Sequence, residues 1–245
     1  MKRVFIGILI LFQSSLLTAQ ELEYLNAYEY PVEDISEYSY SYVKSTSTKG
    51  NVIQTQIFNL DTIKVYHATT LLNDKGEASS ERVLRYYEDG VMKSNLRQNF
   101  DEKTSEEKHY YPNGALKLER IKKKGDTISE KYFDPDGNPA DAKDFQEPSP
   151  KGGSKAWNKY LTQNLRYPKI SMAGGLEGTV VIVFDLDEQG KMTDFKVANP
   201  AIERFELEKE AIRVVKFYPE AWEPKMENGV PVKTEIKIPI RFKLS

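Results

Sequence analysis

The chain contains no cysteine. That excludes disulfides, thiolate metal sites, cysteine nucleophiles and the lipidated Cys of a bacterial lipoprotein. The fold must hold by its core alone, which 245 residues allow. Histidine is nearly absent too: His67 and His109 are the only two, and no short ligand spacing joins them. No serine sits in a nucleophile elbow, and Lys151-Gly152-Gly153-Ser154-Lys155 lacks the spacing of a phosphate loop. Asp185-Leu186-Asp187-Glu188-Gln189-Gly190 opens like a calcium loop, but Lys196 stands where the bidentate twelfth ligand belongs, so it reads as a hairpin turn. The 37 acidic residues single out no acid–base pair. The sequence therefore points to no enzyme, no metal and no cofactor.

Charge of one sign is also missing. Formal net charge is −2; residues 154–245 carry 15 Lys+Arg against 13 Asp+Glu, and residues 20–153 carry 18 against 24. Neutralising a phosphate backbone needs a basic excess, so no nucleic-acid partner is expected. Long hydrophobic runs are lacking as well. Val4–Leu17 covers 14 residues and is interrupted by Gln13, Ser14 and Ser15, whereas a spanning helix needs about 20 apolar residues. With Lys2-Arg3 before it and small residues up to Ala19 after it, residues 1–19 read as an export signal, cleaved to leave Gln20 first. That makes the mature chain an exported protein. The competing reading is an uncleaved membrane anchor.

What the chain has in quantity is tyrosine: 12 of the 15 lie between residues 20 and 145. Residues 20–64 form a Tyr-rich β region, in which Tyr38–Val43 alternates at period two, with Asn51–Leu60 and Thr62–Thr69 as further strands. Over residues 65–142 an aromatic pair followed by a glycine-ended turn recurs. The copies are Tyr86-Tyr87-Glu88-Asp89-Gly90, Tyr110-Tyr111-Pro112-Asn113-Gly114 and Tyr132-Phe133-Asp134-Pro135-Asp136-Gly137. The glycines are 24 and 23 residues apart, and Asn73-Asp74-Lys75-Gly76 reads as a degenerate earlier copy. Physically these are stacked hairpins with each aromatic pair packed on the next unit. The pattern resembles the MORN-type repeats of bacterial envelope proteins. A tyrosine face could alternatively bind glycan or peptide. Residues 143–153, with Pro148, Pro150, Gly152 and Gly153, have linker composition.

Residues 154–245 change character. Trp157, Leu161 and Leu165 predict an amphipathic helix over Ser154–Leu165, with Ser154 as N-cap and Tyr167-Pro168 as its stop. Thr179–Leu186 is a β-branched apolar run, turned by Asp187–Gly190 into Met192–Asn199. Leu207, Ala211, Val214 and Tyr218 mark a second helix. Trp222 is expected to close the core beneath that helix. In the last strand Ile236, Ile238, Ile240, Phe242 and Leu244 alternate with Glu235, Lys237, Pro239, Arg241 and Lys243. Burying that apolar face contributes ~8–15 kcal/mol as an upper bound, while the charged face should meet water. Pro239 has no N–H, which argues for an edge strand or a bulge.

The order of these pieces resembles the C-terminal domain of TonB proteins. Tyr167-Pro168 and Gly174–Val181 come first, followed by Phe184–Lys191 and the helix carrying Glu210–Val215. Trp222-Glu223-Pro224, Asn228–Val232 and Ile236–Phe242 complete it. The resemblance implies an α+β chain: two helices on a three-stranded antiparallel sheet over 154–245, preceded by an all-β hairpin-repeat region. It also implies a partner, the TonB box of an outer-membrane TonB-dependent transporter, added as a strand along Lys233, Thr234, Glu235, Ile236, Lys237, Ile238, Pro239 and Ile240, with Tyr167 and Pro168 near the guest. Thr234, Ile236, Ile238 and Ile240 are expected to offer the backbone pairing. An ExbB/ExbD-type inner-membrane motor would be a further partner if the N-terminus stays anchored. The alternative is an envelope scaffold that homodimerises through its last strand, its repeats holding envelope material.

Overall fold

The computed structural model describes residues 20–32, 35 and 39–244. The export-signal and anchor readings of residues 1–19 lie outside these, as does Tyr38. Among the described residues no helix is long and apolar enough to cross a membrane.

The first half is one antiparallel meander of ten strands in strict sequence order. They are β1 (Gln20–Leu25), β2 (Tyr42–Lys49), β3 (Val52–Asn59), β4 (Lys64–Leu72), β5 (Ala78–Tyr86), β6 (Met92–Asn99), β7 (Thr104–Tyr110), β8 (Leu116–Lys123), β9 (Asp126–Phe133) and β10 (Pro139–Ala140). Of the described part of the period-two run, Ser39–Ser41 lie outside the strand and Tyr42 and Val43 within it. β3 pairs with β4 from Val52↔Leu71 to Phe58↔Lys64, with a register shift between Ile57 and Phe58, so the same sheet runs across residue 64.

The aromatic repeats close every second hairpin. Tyr87 N–H donates to Val91 O (2.8 Å) and Tyr111 N–H to Ala115 O (2.8 Å), while Asp134 N–H reaches Asn138 O (2.9 Å). Each unit is then bonded to the next: Tyr87 Oη donates to Tyr110 O (2.8 Å) and Tyr111 Oη to Phe133 O (2.8 Å). The tyrosines thus form a hydrogen-bonded rail along one end of the sheet. Asn73–Gly76 makes the same turn bonds, but between β4 and β5, where consecutive hairpins reverse at the opposite end. The turn in phase with the rail is instead Asn59–Thr62, with Asn59 N–H donating to Ile63 O (3.0 Å).

The composition-based linker is tied down. Gln146 and Met226 exchange backbone hydrogen bonds (3.1 and 2.9 Å), and β11 (Ser149–Pro150) pairs with β14 (Trp222–Glu223). The second half continues with α1 (Gly153–Asn164), α2 (Lys169–Ala173), β12 (Gly178–Leu186), β13 (Met192–Val197) and α3 (Phe205–Lys216). A small hairpin of β15 (Lys225–Glu227) and β16 (Val230–Val232) leads into β17 (Thr234–Phe242). Two local expectations need correction. Ser154 is not the N-cap: α1 starts a residue earlier, after Gly152 in the left-handed region (φ 78°). The two expected helices are joined by a third, five-residue α2, because Pro168 ends one extended segment and caps the next turn.

The sheet of this half has the order β13-β12-β17. Its inner face packs Val180, Ile182, Phe184, Leu186, Ile238, Ile240 and Phe242 against Leu207, Ala211, Val214 and Val215 of α3. Trp157 of α1 meets Tyr218 and Trp222 edge-on, with ring centroids 5.0 and 5.8 Å apart. Trp222 is a core residue, as its neighbours in sequence suggest. The outer face is covered as well: Val181, Val183 and Ala198 are buried beneath Tyr28 and Tyr30 of the loop that follows β1.

Candidate strand-docking edge

β17 alternates buried and exposed residues along its length: Ile238, Ile240 and Phe242 are buried, while Glu235, Lys237, Pro239 and Arg241 are exposed. It pairs with β12 from Gly178↔Phe242 to Leu186↔Thr234 without a register break. Among the described residues no strand pairs with its other side.

The register settles which backbone groups point outward. Opposite Pro239 stands Val181, whose O accepts from Ala198 N–H (2.8 Å) and whose N–H donates to Asn199 Oδ1 (2.8 Å). Both groups of Val181 therefore face β13. In an antiparallel ladder such a pair makes no mutual bonds, and its two members turn away from each other. Pro239 thus faces the open side, and so do Glu235, Lys237 and Arg241, which share its parity. Thr234, Ile236, Ile238 and Ile240 direct their backbone groups to β12. The expectation that these four offer the free pairing is overturned. The free row is Glu235, Lys237, the carbonyl of Pro239, and Arg241. Proline at 239 removes a donor that the intramolecular ladder does not use.

The remaining predicted residues bracket the strand. Lys233, just outside β17, is held by Asp185 (2.7 Å). Tyr167 sits at the other end, its ring edge-on to Phe242 (5.7 Å) and its hydroxyl donating to Leu176 O. Pro168 caps α2 immediately beyond it. The segment carrying both is fixed by Glu210, which accepts from Arg166 N–H (2.7 Å) and from Arg213 (2.7 Å). Burial alone would raise the Glu210 carboxyl, but the Arg213 guanidinium and the Arg166 N–H bring it below the ordinary carboxylate range. Arg213 also donates to Asn164 O (2.7 Å), capping the end of α1.

The first half of the chain reaches this strand, which the sequence reading missed. Asn26 Oδ1 accepts from Tyr28 N–H (2.8 Å) and Tyr30 N–H (3.1 Å), folding the loop, and Asn26 Nδ2 donates to Ala198 O (2.8 Å). Lys237 lies over the Tyr28 ring (5.5 Å) and donates to Tyr28 O (3.5 Å). At the other contact, Lys117 meets Glu227 (2.6 Å) and the Tyr111 hydroxyl lies 3.0 Å from the Asn228 side-chain amide. The signal for a covered outer face was the run Val180–Phe184, apolar at consecutive positions and hence buried on both sides.

Among the described residues no group of three or more His, Asp or Glu is placed to hold a metal. His67 lies on β4 and His109 on β7, the latter beside Glu107 (2.6 Å). Asp187 Oδ1 accepts from Gln189 N–H (3.0 Å) and Lys191 N–H (2.8 Å), which makes that acidic run a turn.

Residues 163–244 match the family model of the Gram-negative bacterial TonB protein C-terminal. Over 79 residues the chain is 37% identical to Protein TonB of Vibrio cholerae serotype O1, covering 32% of this chain. The chain spans 31% of that relative's length. The NMR solution structure of the Helicobacter pylori TonB C-terminal domain aligns at 26% identity, covering 36% of this chain and 77% of that one, with a TM-score of 0.27.

Proposed function

We propose that this chain is a periplasmic, TonB-like binding protein whose C-terminal domain takes up an extended segment of an outer-membrane TonB-dependent transporter along β17, serving energy-coupled transport. The observation that carries the reading is the row at Glu235, Lys237, Pro239 and Arg241, unpaired among the described residues, on a strand whose other edge is closed by β12. The match of residues 163–244 to TonB C-termini supports it. A rigid sheet with one open edge is a template for strand addition, in which backbone bonds give affinity and alternate side chains give specificity. Three or four such bonds, each worth about 0.5–1.5 kcal/mol net, make a weak and reversible attachment. Tyr167 and Pro168 would border the guest near Phe242. An ExbB/ExbD-type motor is a further partner only if residues 1–19 stay in the membrane.

The test is titration of the full chain with a synthetic TonB-box peptide. Replacing Lys237 by Pro removes one outward N–H and should weaken binding by about two- to tenfold with little loss of stability. Equal affinity of both proteins, or no binding at millimolar peptide, overturns the reading.

A further inference from the structure

The exposed face of β17 is graded in charge. At its start, Glu235 is exposed, without an ion-pair partner among the described residues, and acts on the same Tyr42 hydroxyl as Glu88 and Glu29 of the N-terminal half. Glu88 accepts from Tyr42 Oη (2.8 Å) and from Asn59 Nδ2 (2.9 Å). These neutral donors fix the carboxylate without cancelling its charge. Glu29 is next in sequence to Tyr28, on which Lys237 rests, and is paired loosely with Arg85 (3.4 Å). The Tyr42 hydroxyl reports this surrounding: burial, then Glu88, with Glu29 and Glu235 adding, push it up to about 12. Lys237 itself rests over the Tyr28 ring.

At the far end the sign reverses. Arg241 and Lys243 are exposed and make no ion pair among the described residues. Glu177 lies at this end too, its carboxylate accepting from Leu244 N–H (2.6 Å), which leaves the two cations in excess of one anion. Glu235 and Arg241 both belong to the outward-facing row, so a strand lying there meets an acidic start and a basic finish.

Resting on the strand-addition reading, we propose that β17 selects its guest by charge order: a segment with a basic end against Glu235 and an acidic end against Arg241 and Lys243. Opposite charges on facing strands attract and like charges repel, so the order also fixes which way the guest runs.

The experiment uses the full chain and three synthetic ten-residue peptides of alternating valine and threonine. One carries two lysines at one end and two glutamates at the other. The second has the same four charges intermixed, and the third has none. At low salt the graded peptide should bind roughly three- to tenfold tighter than the intermixed one, and the advantage should vanish near 1 M salt. The double variant Arg241→Glu, Lys243→Glu should lose the preference. A spin label on the lysine end should broaden Tyr28 resonances and spare Lys243. Equal binding of all three peptides overturns the charge-order proposal and leaves strand addition standing. An unchanged preference in the double variant, or broadening at Lys243, overturns it too. Binding of none of them overturns both.

Discussion

Val181 and Pro239 stand opposite each other across β12 and β17, yet no backbone bond links them. Val181 is engaged by Ala198 and Asn199, so the proline's missing N–H falls on the side where no described strand pairs. One residue along, Ile182 and Ile238 are the members that bond directly.

Proline scanning reads this alternation. Lys237→Pro should lower stability by less than about 1 kcal/mol, since the lost donor pointed outward. Ile238→Pro should cost well over about 1–3 kcal/mol, because it removes a ladder bond and leaves a β12 carbonyl unsatisfied. Denaturant midpoints of the two variants measure the difference; similar losses would mean the register is shifted by one residue.

Gly190 in the β12–β13 turn has φ 77°, and a Cβ there would lie 1.9 Å from Trp222 O. Trp222 N–H also donates to Gly190 O (3.0 Å), so the two backbones are locked together. Gly190→Ala should therefore destabilise by at least about 1–3 kcal/mol through strain and a broken contact. Gly76→Ala, at φ 77° with nothing within 4 Å, should cost only about 1 kcal/mol. Thermal unfolding of both variants provides the comparison.

Glu210 links α1, α3 and the Tyr167 segment through Arg213 and Arg166. Its folded carboxyl titrates below its unfolded value, so the pairing stabilises the fold above the ordinary carboxylate range. That stability is lost as pH falls through the lowered folded value. Glu210→Gln should lower the melting temperature at pH 7, and the gap from the parent chain should narrow as pH is taken down through the carboxylate range. A gap independent of pH would contradict the assignment.

The C-terminal half was the more legible part. The alternation of Ile236–Leu244 announced a strand with one greasy face, and Pro239 announced an edge. The parity of its backbone groups was not legible. It depends on the register with β12, which Asn199 and Ala198 set from across the sheet. Tyrosine spacing located three turns of the rail, but Asn73–Gly76 copied their chemistry at the wrong end, since turn sequences do not record which end of a meander they close. The docking of Asn26–Tyr30 on Val181 and Val183 is a contact between residues more than 150 apart. In the sequence it left only an apolar run with no polar alternation.

Amide hydrogen exchange along β17 in the full chain tests the central claim most directly. The amides of Ile236, Ile238 and Ile240 should exchange slowly and those of Glu235, Lys237 and Arg241 quickly, with the fast set becoming protected when an extended peptide is added. Uniform protection of all six before any peptide is present would show that the outer side of β17 is already taken, and would contradict the account.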